Sequence, residues 1–223
     1  MKTKIFAILV LLALLVGRAK QEAPTKEAEE PTAGTEAVEE EPPVTEPAGE
    51  AKEMTEDVKE LLTKASKKVK SYSYYYYGPE TQLAYNLFIK GNKTKIIPPE
   101  RVKVRENEFY DTIYLNTETK TALAYCESLD TLICPETSKE FTLGYKDVYL
   151  KTPMGWLDEI KYAERLSEET MQERKTIKLV SNEAGTIWIE EFYGVPFQVE
   201  KDGKTYRFER MVFNQIKDSD VTH

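Results

Sequence analysis

The stretch that most constrains the fold covers residues 186–212 and reads as three consecutive β-strands. Residues 187–189 are apolar and β-prone, and a charged pair ends this run. The second strand places apolar side chains on one face at a period of two residues, namely Val195, Phe197 and Val199. Asp202-Gly203 then predicts a tight hairpin, because a type I′ turn requires positive φ at both central residues. The chain therefore closes as an antiparallel meander, whose apolar face another element must cover.

Charge is distributed unevenly along the 223 residues, and this limits the classes of partner. Residues 1–19 carry a net charge of +3, residues 20–52 carry −7 and residues 53–223 carry −4. The long C-terminal part is close to neutral, which argues against nucleic acid as a partner. The single histidine, His223, argues against histidine-based catalysis or metal binding.

Residues 1–19 are predicted to be a signal peptide. Two lysines precede an unbroken apolar run over residues 5–16, which is shorter than the roughly 20 residues of a membrane span. Small residues follow at Gly17 and Ala19, as a cleavage site requires. Arg18 stands where a lipoprotein signal would carry its acylated cysteine, which argues against a lipid anchor. A buried hydrophobic helix is the alternative interpretation.

Residues 20–52 are predicted to be an acidic, Glu- and Pro-rich disordered tether. They contain no aromatic residue and cannot bury enough apolar surface to fold. A specific binding tail is the alternative. A tether behind an export signal predicts an extracytoplasmic protein, periplasmic or held at the cell surface, with residues 53–223 as its folded domain.

The folded domain is predicted to begin with one amphipathic helix. Thr55 is its expected N-cap, and acidic residues follow in the first turn. Apolar residues then recur at helical spacing, at Val58, Leu61, Leu62, Ala65 and Val69. We expect this helix to pack on a sheet, and a helix that lies on a membrane surface is the alternative.

Strands dominate the rest of the domain. They are predicted over residues 72–77, 83–89, 93–97, 101–105, 108–116, 120–126, 162–167 and 176–180, with a short helix over residues 154–160. Because most strands follow one another through short turns, the sequence predicts an α+β domain. Its core is a curved antiparallel sheet, or half-barrel, that wraps the N-terminal helix and the short second helix.

Cys126 and Cys134 are predicted to form a disulfide that closes a small loop, because the chain is predicted to be exported. Free thiols are the alternative. Their spacing fits neither a CxxC redox pair nor a metal site. Asn92-Lys93-Thr94 is an N-glycosylation sequon, which matters only in an exported protein.

No catalytic motif stands out in the sequence. The pairs Glu168-Glu169 and Glu190-Glu191 alternate between strand faces, so we interpret them as solvated side chains rather than acid/base couples. Nucleophile-elbow, phosphate-loop and dinucleotide motifs are absent from the sequence. We therefore expect neither an enzyme nor a requirement for a cofactor.

The aromatic content exceeds what two helices can cover, with 14 Tyr, 8 Phe and 2 Trp. A curved sheet that is wider than its helical plug leaves an apolar groove, which is a ligand site by default. We expect this groove to be lined by Tyr74, Tyr76, Tyr85, Leu87, Trp188 and Phe197. A packed core position, against the N-terminal helix, is the alternative for each of them.

Several short motifs carry a resemblance to a known family. They are the hairpin start at Tyr110 and Asp111, the strand at residues 187–189, Gly194-Val195-Pro196, and Phe213-Asn214. Over residues 55–221 the chain resembles the LolA/LolB-like superfamily of outer-membrane lipoprotein-sorting proteins, or lipoprotein carriers. The resemblance implies an incomplete antiparallel barrel that shelters acyl chains between its sheet and its helices, without catalytic residues. The acidic tether and the cysteine pair depart from the family's pattern.

Two functions are therefore expected. The first is a monomeric carrier or receptor that binds lipid or a lipidated protein at a membrane surface. The second is a surface-tethered protein-interaction or sensor domain, in which the domain's own helices fill the groove.

Overall fold

An eleven-stranded antiparallel sheet forms the body of the domain in a computed structural model that describes residues 53–128, 134 and 136–223. The predicted signal peptide and tether lie outside the described residues. In chain order the elements are α1 (Glu56–Lys68), β1 (Ser71–Tyr77), β2 (Tyr85–Lys90), β3 (Lys93–Ile97), β4 (Val102–Arg105), β5 (Glu108–Tyr110), β6 (Thr112–Asn116), β7 (Thr121–Tyr125), β8 (Phe141–Thr142), α2 (Tyr145–Val148), α3 (Pro153–Leu157), β9 (Glu164–Met171), β10 (Arg174–Ser181), β11 (Gly185–Glu190), β12 (Pro196–Lys201), β13 (Lys204–Phe213) and a final 3₁₀ turn (Asp218–Asp220). No helix in these ranges is long and apolar enough to cross a bilayer.

The strand order shows how the two halves of the domain join. It runs β8-β7-β6-β3-β2-β1-β13-β12-β11-β10-β9, so β1 from the start of the domain pairs with β13 from its end. The sheet is open, with β8 and β9 as its edges, while β4 and β5 form a separate two-stranded sheet. This architecture confirms the predicted α+β fold with a curved antiparallel half-barrel.

The face of the sheet that carries the helices, here called the concave face, is built from rows of cross-strand neighbours. One row crosses β1, β2, β3, β6 and β7 and is buried throughout: Tyr74, Leu87, Ile96, Ile113 and Ala124. Because successive side chains of a strand point to opposite faces, the period-two pattern of each strand supplies one member of the row. The pattern seen in the sequence therefore becomes a continuous apolar floor.

Helix α1 begins after Thr55, as predicted, and packs its apolar side on this floor. Val58, Leu61 and Ala65 are buried in the same cluster as the sheet residues. The turn between β11 and β12 approaches the helix closely, since a Cβ atom added at Gly194 would lie 2.5 Å from the carbonyl oxygen of Leu61. Gly194 also has a φ of +72°, which glycine adopts without strain. This glycine therefore lets the helix and the turn meet.

The C-terminal half of the sheet curls back on itself. Both central residues of the β9–β10 turn have positive φ, 50° at Gln172 and 62° at Glu173, as in a type I′ turn. The Gln172 side chain donates to the carbonyl oxygen of Phe208 (2.9 Å) and accepts from the backbone N–H of Arg210 (2.9 Å). The hairpin thus touches β13, although β11 and β12 separate the two in the sheet.

Two predicted strands have different boundaries in the structure. The strand predicted over residues 83–89 begins only at Tyr85, and Leu83 is exposed before it. The strand predicted over residues 108–116 is two strands, because the chain turns at Asp111. The Asp111 carboxylate accepts the backbone N–H groups of the two residues that follow Cys126, and this fixes the turn.

Other predictions were wrong in detail for local reasons. The helix predicted over residues 154–160 is a single turn, and α2 and β8 were not predicted. Strict alternation over residues 206–211 would place Tyr206, Phe208 and Arg210 on one face, but a bulge at Arg210, which has a φ of 54°, breaks the period of two. Met211 rather than Arg210 is therefore buried beside Phe208. Glu190 is only 4% exposed, because its carboxylate accepts backbone N–H groups of the β11–β12 turn instead of lying in solvent.

Candidate functional site

A groove of about 490 Å³ opens on the concave face between α1 and α3. Its floor lies at the ends of β1, β2 and β3, where Tyr72, Ile89 and Thr94 form one cross-strand row. Its walls are the C-terminal half of α1 and the apolar side of α3. The apolar lining consists of Ala65, Val69, Tyr72, Ile89, Met154 and Leu157. An apolar ligand would therefore contact hydrocarbon or aromatic groups on the floor and on both walls.

The position of α3 is fixed by its first turn and by one aromatic anchor. The Thr152 hydroxyl oxygen accepts the backbone N–H of Gly155 (3.1 Å) and caps the helix. Trp156 is 3% exposed, and its ring centroid lies 4.9 Å from that of Tyr206 on β13. These contacts hold α3 against the sheet and leave Met154 and Leu157 to face the groove.

Three neutral phenols lie in and beside the groove, of which those of Tyr72 and Tyr74 are buried and that of Tyr149 is partly exposed. Burial raises the pKa of Tyr72, and a hydrogen bond with Thr152 offsets part of this effect. Burial also raises the pKa of Tyr74 and of Tyr149. The Tyr74 hydroxyl has no hydrogen-bond partner within the described part of the chain, although the residue is only 1% exposed. The floor of the groove is therefore uncharged, with the Tyr72 hydroxyl as a polar point, and the charged residues of the groove lie at its rim.

Polar residues surround the apolar lining. Those that the structure leaves exposed at the groove are Ser66, Lys70 and Asp158, from the two walls. Ligand sites of this kind combine a hydrophobic interior with a few polar groups that fix orientation. An amphiphile fits such a groove with its apolar part against the floor and its polar part at the rim.

The residues predicted to line the groove lie on the expected strands but mostly outside it. Tyr74, Tyr76, Leu87 and Phe197 are at most 2% exposed and belong to the packed core. Tyr85 is half-buried and lines a separate surface pocket beside residues 98–102. The groove itself uses other positions of the same strands, because the helices cover the middle of the concave face.

Trp188 lies on the opposite face of the sheet from the groove. It pairs with Lys178 and Gln198, while its neighbours in sequence pair with buried residues. The indole N–H donates to the Glu169 carboxylate (2.9 Å), and the Lys178 ammonium lies 4.7 Å from a ring centroid. Residues 187–189 are apolar at every position, so period two could not indicate which face Trp188 takes.

The floor of the groove had a partial signal in the sequence. Tyr72 shares its strand face with Tyr74, and Ile89 shares its face with Leu87, one period further along each strand. The sequence did not indicate at which position along each strand the groove opens. That position depends on where α3 packs, and no local pattern in residues 153–157 indicates this.

The structure confirms the predicted disulfide between Cys126 and Cys134, whose Cα atoms are 5.4 Å apart. Together with Asp111, these cysteines are the one cluster in the described ranges with the spacing of metal ligands. Their sulfur atoms are bonded to each other and offer no thiolate to a metal. The sequon residue Asn92 lies in the β2–β3 turn, where its amide donates to the Glu118 carboxylate (2.6 Å).

Comparisons with known proteins show similarity at the level of fold and at low identity. No family model and no curated protein sequence matches the chain. An uncharacterized conserved protein from Thermus thermophilus is 9% identical with a TM-score of 0.45, over 74% of this chain and 93% of that one. MucB is 9% identical with a TM-score of 0.47, over 76% of this chain but only 63% of its own length. LprF from Mycobacterium bovis is 10% identical with a TM-score of 0.41, over 71% of this chain and 94% of that one.

The similarity of this chain to these solved structures concerns the fold alone. All three TM-scores lie below 0.5, so the similarities carry no conclusion about what this chain binds.

Proposed function

We propose that this chain is an exported, non-catalytic binding protein whose groove on the concave face holds an acyl chain of a lipid or of a lipidated protein. The observation that carries the proposal is the groove between α1 and α3, with its apolar floor and walls. Its volume of about 490 Å³ falls within the roughly 300–1,000 Å³ of small-molecule sites.

The chemistry of the lining supports an apolar chain as the ligand. The floor residues Tyr72, Ile89 and Thr94 have no charged side chain, and burial raises the pKa of Tyr72 further above neutral pH, so no charge faces an entering hydrocarbon from the floor. Met154 supplies a flexible, polarizable wall that adapts to an irregular ligand. The exposed ionic groups at the rim suit the headgroup end of an amphiphile.

The proposal includes the organisation of the chain outside the described residues. Residues 1–19 export the protein, residues 20–52 hold the domain on an acidic tether, and residues 53–223 form the binding domain. The disulfide supports this arrangement, since disulfides persist in oxidising compartments outside the cytoplasm.

A second candidate is a tethered protein-interaction or sensor domain whose own helices fill the groove. It is favoured by the dense packing of the middle of the concave face, where Tyr74, Tyr76 and Leu87 are essentially inaccessible. In that case the groove is a shallow irregularity between two packed helices, and a partner binds elsewhere.

Single substitutions in the groove separate these candidates. Met154→Ser and Leu157→Ser replace partly buried lining residues, and Leu166→Ser makes the same kind of change on the exposed strand β9. If an acyl chain lies in the groove, each lining variant should bind a fluorescent fatty acyl probe about tenfold more weakly or worse, because it loses most of one buried apolar contact. The Leu166→Ser control should bind like the unaltered chain.

The full chain is used throughout, so any probe bound by residues 5–16 contributes equally to every variant. Denaturant unfolding of the same samples shows whether each variant is folded when the probe is added. If the folded lining variants bind the probe as well as Leu166→Ser does, the groove does not hold the acyl chain, and the second candidate is favoured.

A further inference from the structure

The turn between β11 and β12 presents an aromatic side chain to solvent. Phe192 is 60% exposed, more than the exposed leucines Leu83 (51%) and Leu166 (55%). Its ring meets that of Tyr193 edge to face at 4.8 Å, and the Tyr193 ring stacks on Phe213 at 4.1 Å. The exposed ring is thus the outer end of an aromatic stack that reaches into the domain.

The turn holds Phe192 in place by backbone contacts. The buried Glu190 carboxylate accepts the backbone N–H of Phe192 (3.1 Å) and that of Tyr193 (2.7 Å). The N–H of Gly194 donates to the carbonyl oxygen of Glu190 (2.8 Å) and closes the turn. A buried carboxylate is costly unless it is hydrogen-bonded, so these bonds stabilise the turn in this shape. The turn therefore keeps Phe192 exposed, away from the core.

Two lysines of α1 contact the turn that carries the ring, and two more lie at the end of α1 and directly after it. The Lys68 ammonium lies 3.9 Å from the Phe192 ring centroid and donates to its carbonyl oxygen (2.8 Å). Lys64 donates to the carbonyl oxygen of Glu191 (3.3 Å). Lys67 and Lys70 are exposed, and among the described residues they form no ion pair. We call Phe192 together with these four lysines the basic turn surface.

Few acidic groups compensate this positive charge. The Glu190 carboxylate is buried beneath the turn on backbone N–H groups, Glu191 is paired with Lys175 of β10 (3.0 Å), and the nearest pairing of Glu60 is with Lys64, at 4.0 Å. The surface is therefore cationic on a chain whose net charge is −8. An exposed aromatic ring beside lysines matches the boundary between anionic headgroups and acyl chains, where such rings insert and ammonium groups meet phosphate.

The basic turn surface also adjoins the groove. Ala65, Ser66 and Lys70 line the groove, while Lys64 and Lys68 contact the β11–β12 turn. The end of α1 therefore borders both the groove and the β11–β12 turn, and Lys70 belongs to the groove rim as well as to the basic turn surface.

We infer that the basic turn surface docks the domain on an anionic phospholipid bilayer, with Phe192 inserted at the level of the headgroups. The inference deepens the proposed function, because it names the source from which the groove takes an acyl chain. Docking itself needs only the turn and its lysines, so the two ideas can fail separately.

Phe192→Trp in the full chain tests the inference locally. The native tryptophans, Trp156 and Trp188, are buried, so a new indole at position 192 reports its own surroundings. We expect its emission to shift to the blue with vesicles of equal parts phosphatidylcholine and phosphatidylglycerol, and brominated acyl chains to quench it. Phosphatidylcholine vesicles should have little effect, and added salt should reverse the shift.

Leu166→Trp is the matched control, since that site is similarly exposed but lies on edge strand β9. Vesicles that bind the chain only through residues 5–16 would leave both indoles unquenched. That result, or equal quenching at both positions, overturns the docking inference.

The lysines give a second readout on the Phe192→Trp background. Each lysine near an anionic surface strengthens binding by about fivefold, so Lys67→Gln with Lys70→Gln should raise the lipid concentration for half-maximal quenching by about 25-fold. No change in that concentration would contradict the electrostatic part of the inference.

Phe192→Ser separates docking from the groove. We expect it to abolish docking and to leave fatty acyl probe affinity as in the unaltered chain, because Phe192 does not line the groove. If residue 192 inserts into the vesicles but the chain takes up no probe, the docking inference stands and the proposed function is wrong. If the chain takes up the probe while residue 192 stays in water, the docking inference is wrong and the proposed function stands.

Discussion

At the residue scale, Glu127 draws together partners from several strands on the face opposite the groove. Its carboxylate accepts from the Lys95 ammonium (2.8 Å) and the Tyr114 hydroxyl (2.6 Å), and it lies 2.9 Å from Nδ1 of His223. The His223 ring stacks on Tyr125, with centroids 3.6 Å apart. Burial raises the pKa of Glu127, but the hydrogen bonds of the charged form outweigh burial and bring it down to about 2 from an ordinary value of 4.5.

Glu127 therefore ties stability to pH in a definite direction. Because its pKa is lower in the folded state, its contribution is complete above about pH 4.5 and is lost as the pH falls toward about 2. We expect Glu127→Gln to reduce the free energy of unfolding at neutral pH by about 1–3 kcal/mol. Unfolding in urea across this pH range should also show a flatter acid dependence for the variant.

The matched control is Glu106→Gln, at an exposed acid in the turn between β4 and β5. It should change neither the neutral-pH stability nor the acid slope by more than about 0.5 kcal/mol. Identical acid slopes for Glu127→Gln and the unaltered chain would show that the Glu127 contacts do not stabilise the fold.

Single residues also show what sequence patterns can predict. The buried faces of β1 and β2 followed from period two, and Tyr74 and Leu87 are buried as that pattern requires. Glu190 was interpreted as solvated because charged strand residues usually are. Its burial depends on the short turn between β11 and β12, whose N–H groups the pattern does not describe.

At the element scale, the contact between α1 and the β11–β12 turn depends on Gly194. Gly194→Ala places a Cβ atom on a residue with positive φ, and that atom clashes with the carbonyl oxygen of Leu61 in the helix. Gly203→Ala is the matched control, because Gly203 has a φ of +71° and nothing within 4 Å of an added Cβ atom. The control should cost about 1–2 kcal/mol for its backbone conformation alone.

Gly194→Ala should cost about 1–3 kcal/mol more than the control, because overpacking adds to the same backbone strain. Denaturant unfolding of both variants measures the difference. Equal losses would mean that α1 does not press on this turn in solution.

Two backbone features, the β9–β10 turn and the bulge in β13, were not predicted, because their backbone geometry is unusual for their residue types. Gln172 and Glu173 form a type I′ turn without Gly, Asn or Asp, so no turn signal marks the long β9–β10 hairpin. No sequence signal marks the bulge at Arg210 either. The Gln172 amide hydrogen-bonds both sides of that bulge, so each irregularity is stabilised by the other across the curl of the sheet.

At the scale of the whole molecule, the fold class was predictable and the position of the groove was not. Alternation and turn residues fix which strands exist and which faces are apolar. The groove arises where α1 and α3 leave the ends of β1, β2 and β3 uncovered, and the packing of a one-turn helix is decided by tertiary contacts such as that of Trp156 with Tyr206.

The central claim is that this groove holds an acyl chain. The direct measurement is organic extraction of the full chain after purification from a membrane-containing host, with mass analysis of the extract. The same extraction from a Met154→Ser, Leu157→Ser double variant accounts for lipid that adheres to residues 5–16. We predict a stoichiometric acyl lipid from the unaltered chain and a marked loss from the variant. Equal extracts from both, or a lipid-free chain that takes up no acyl probe, would contradict the account.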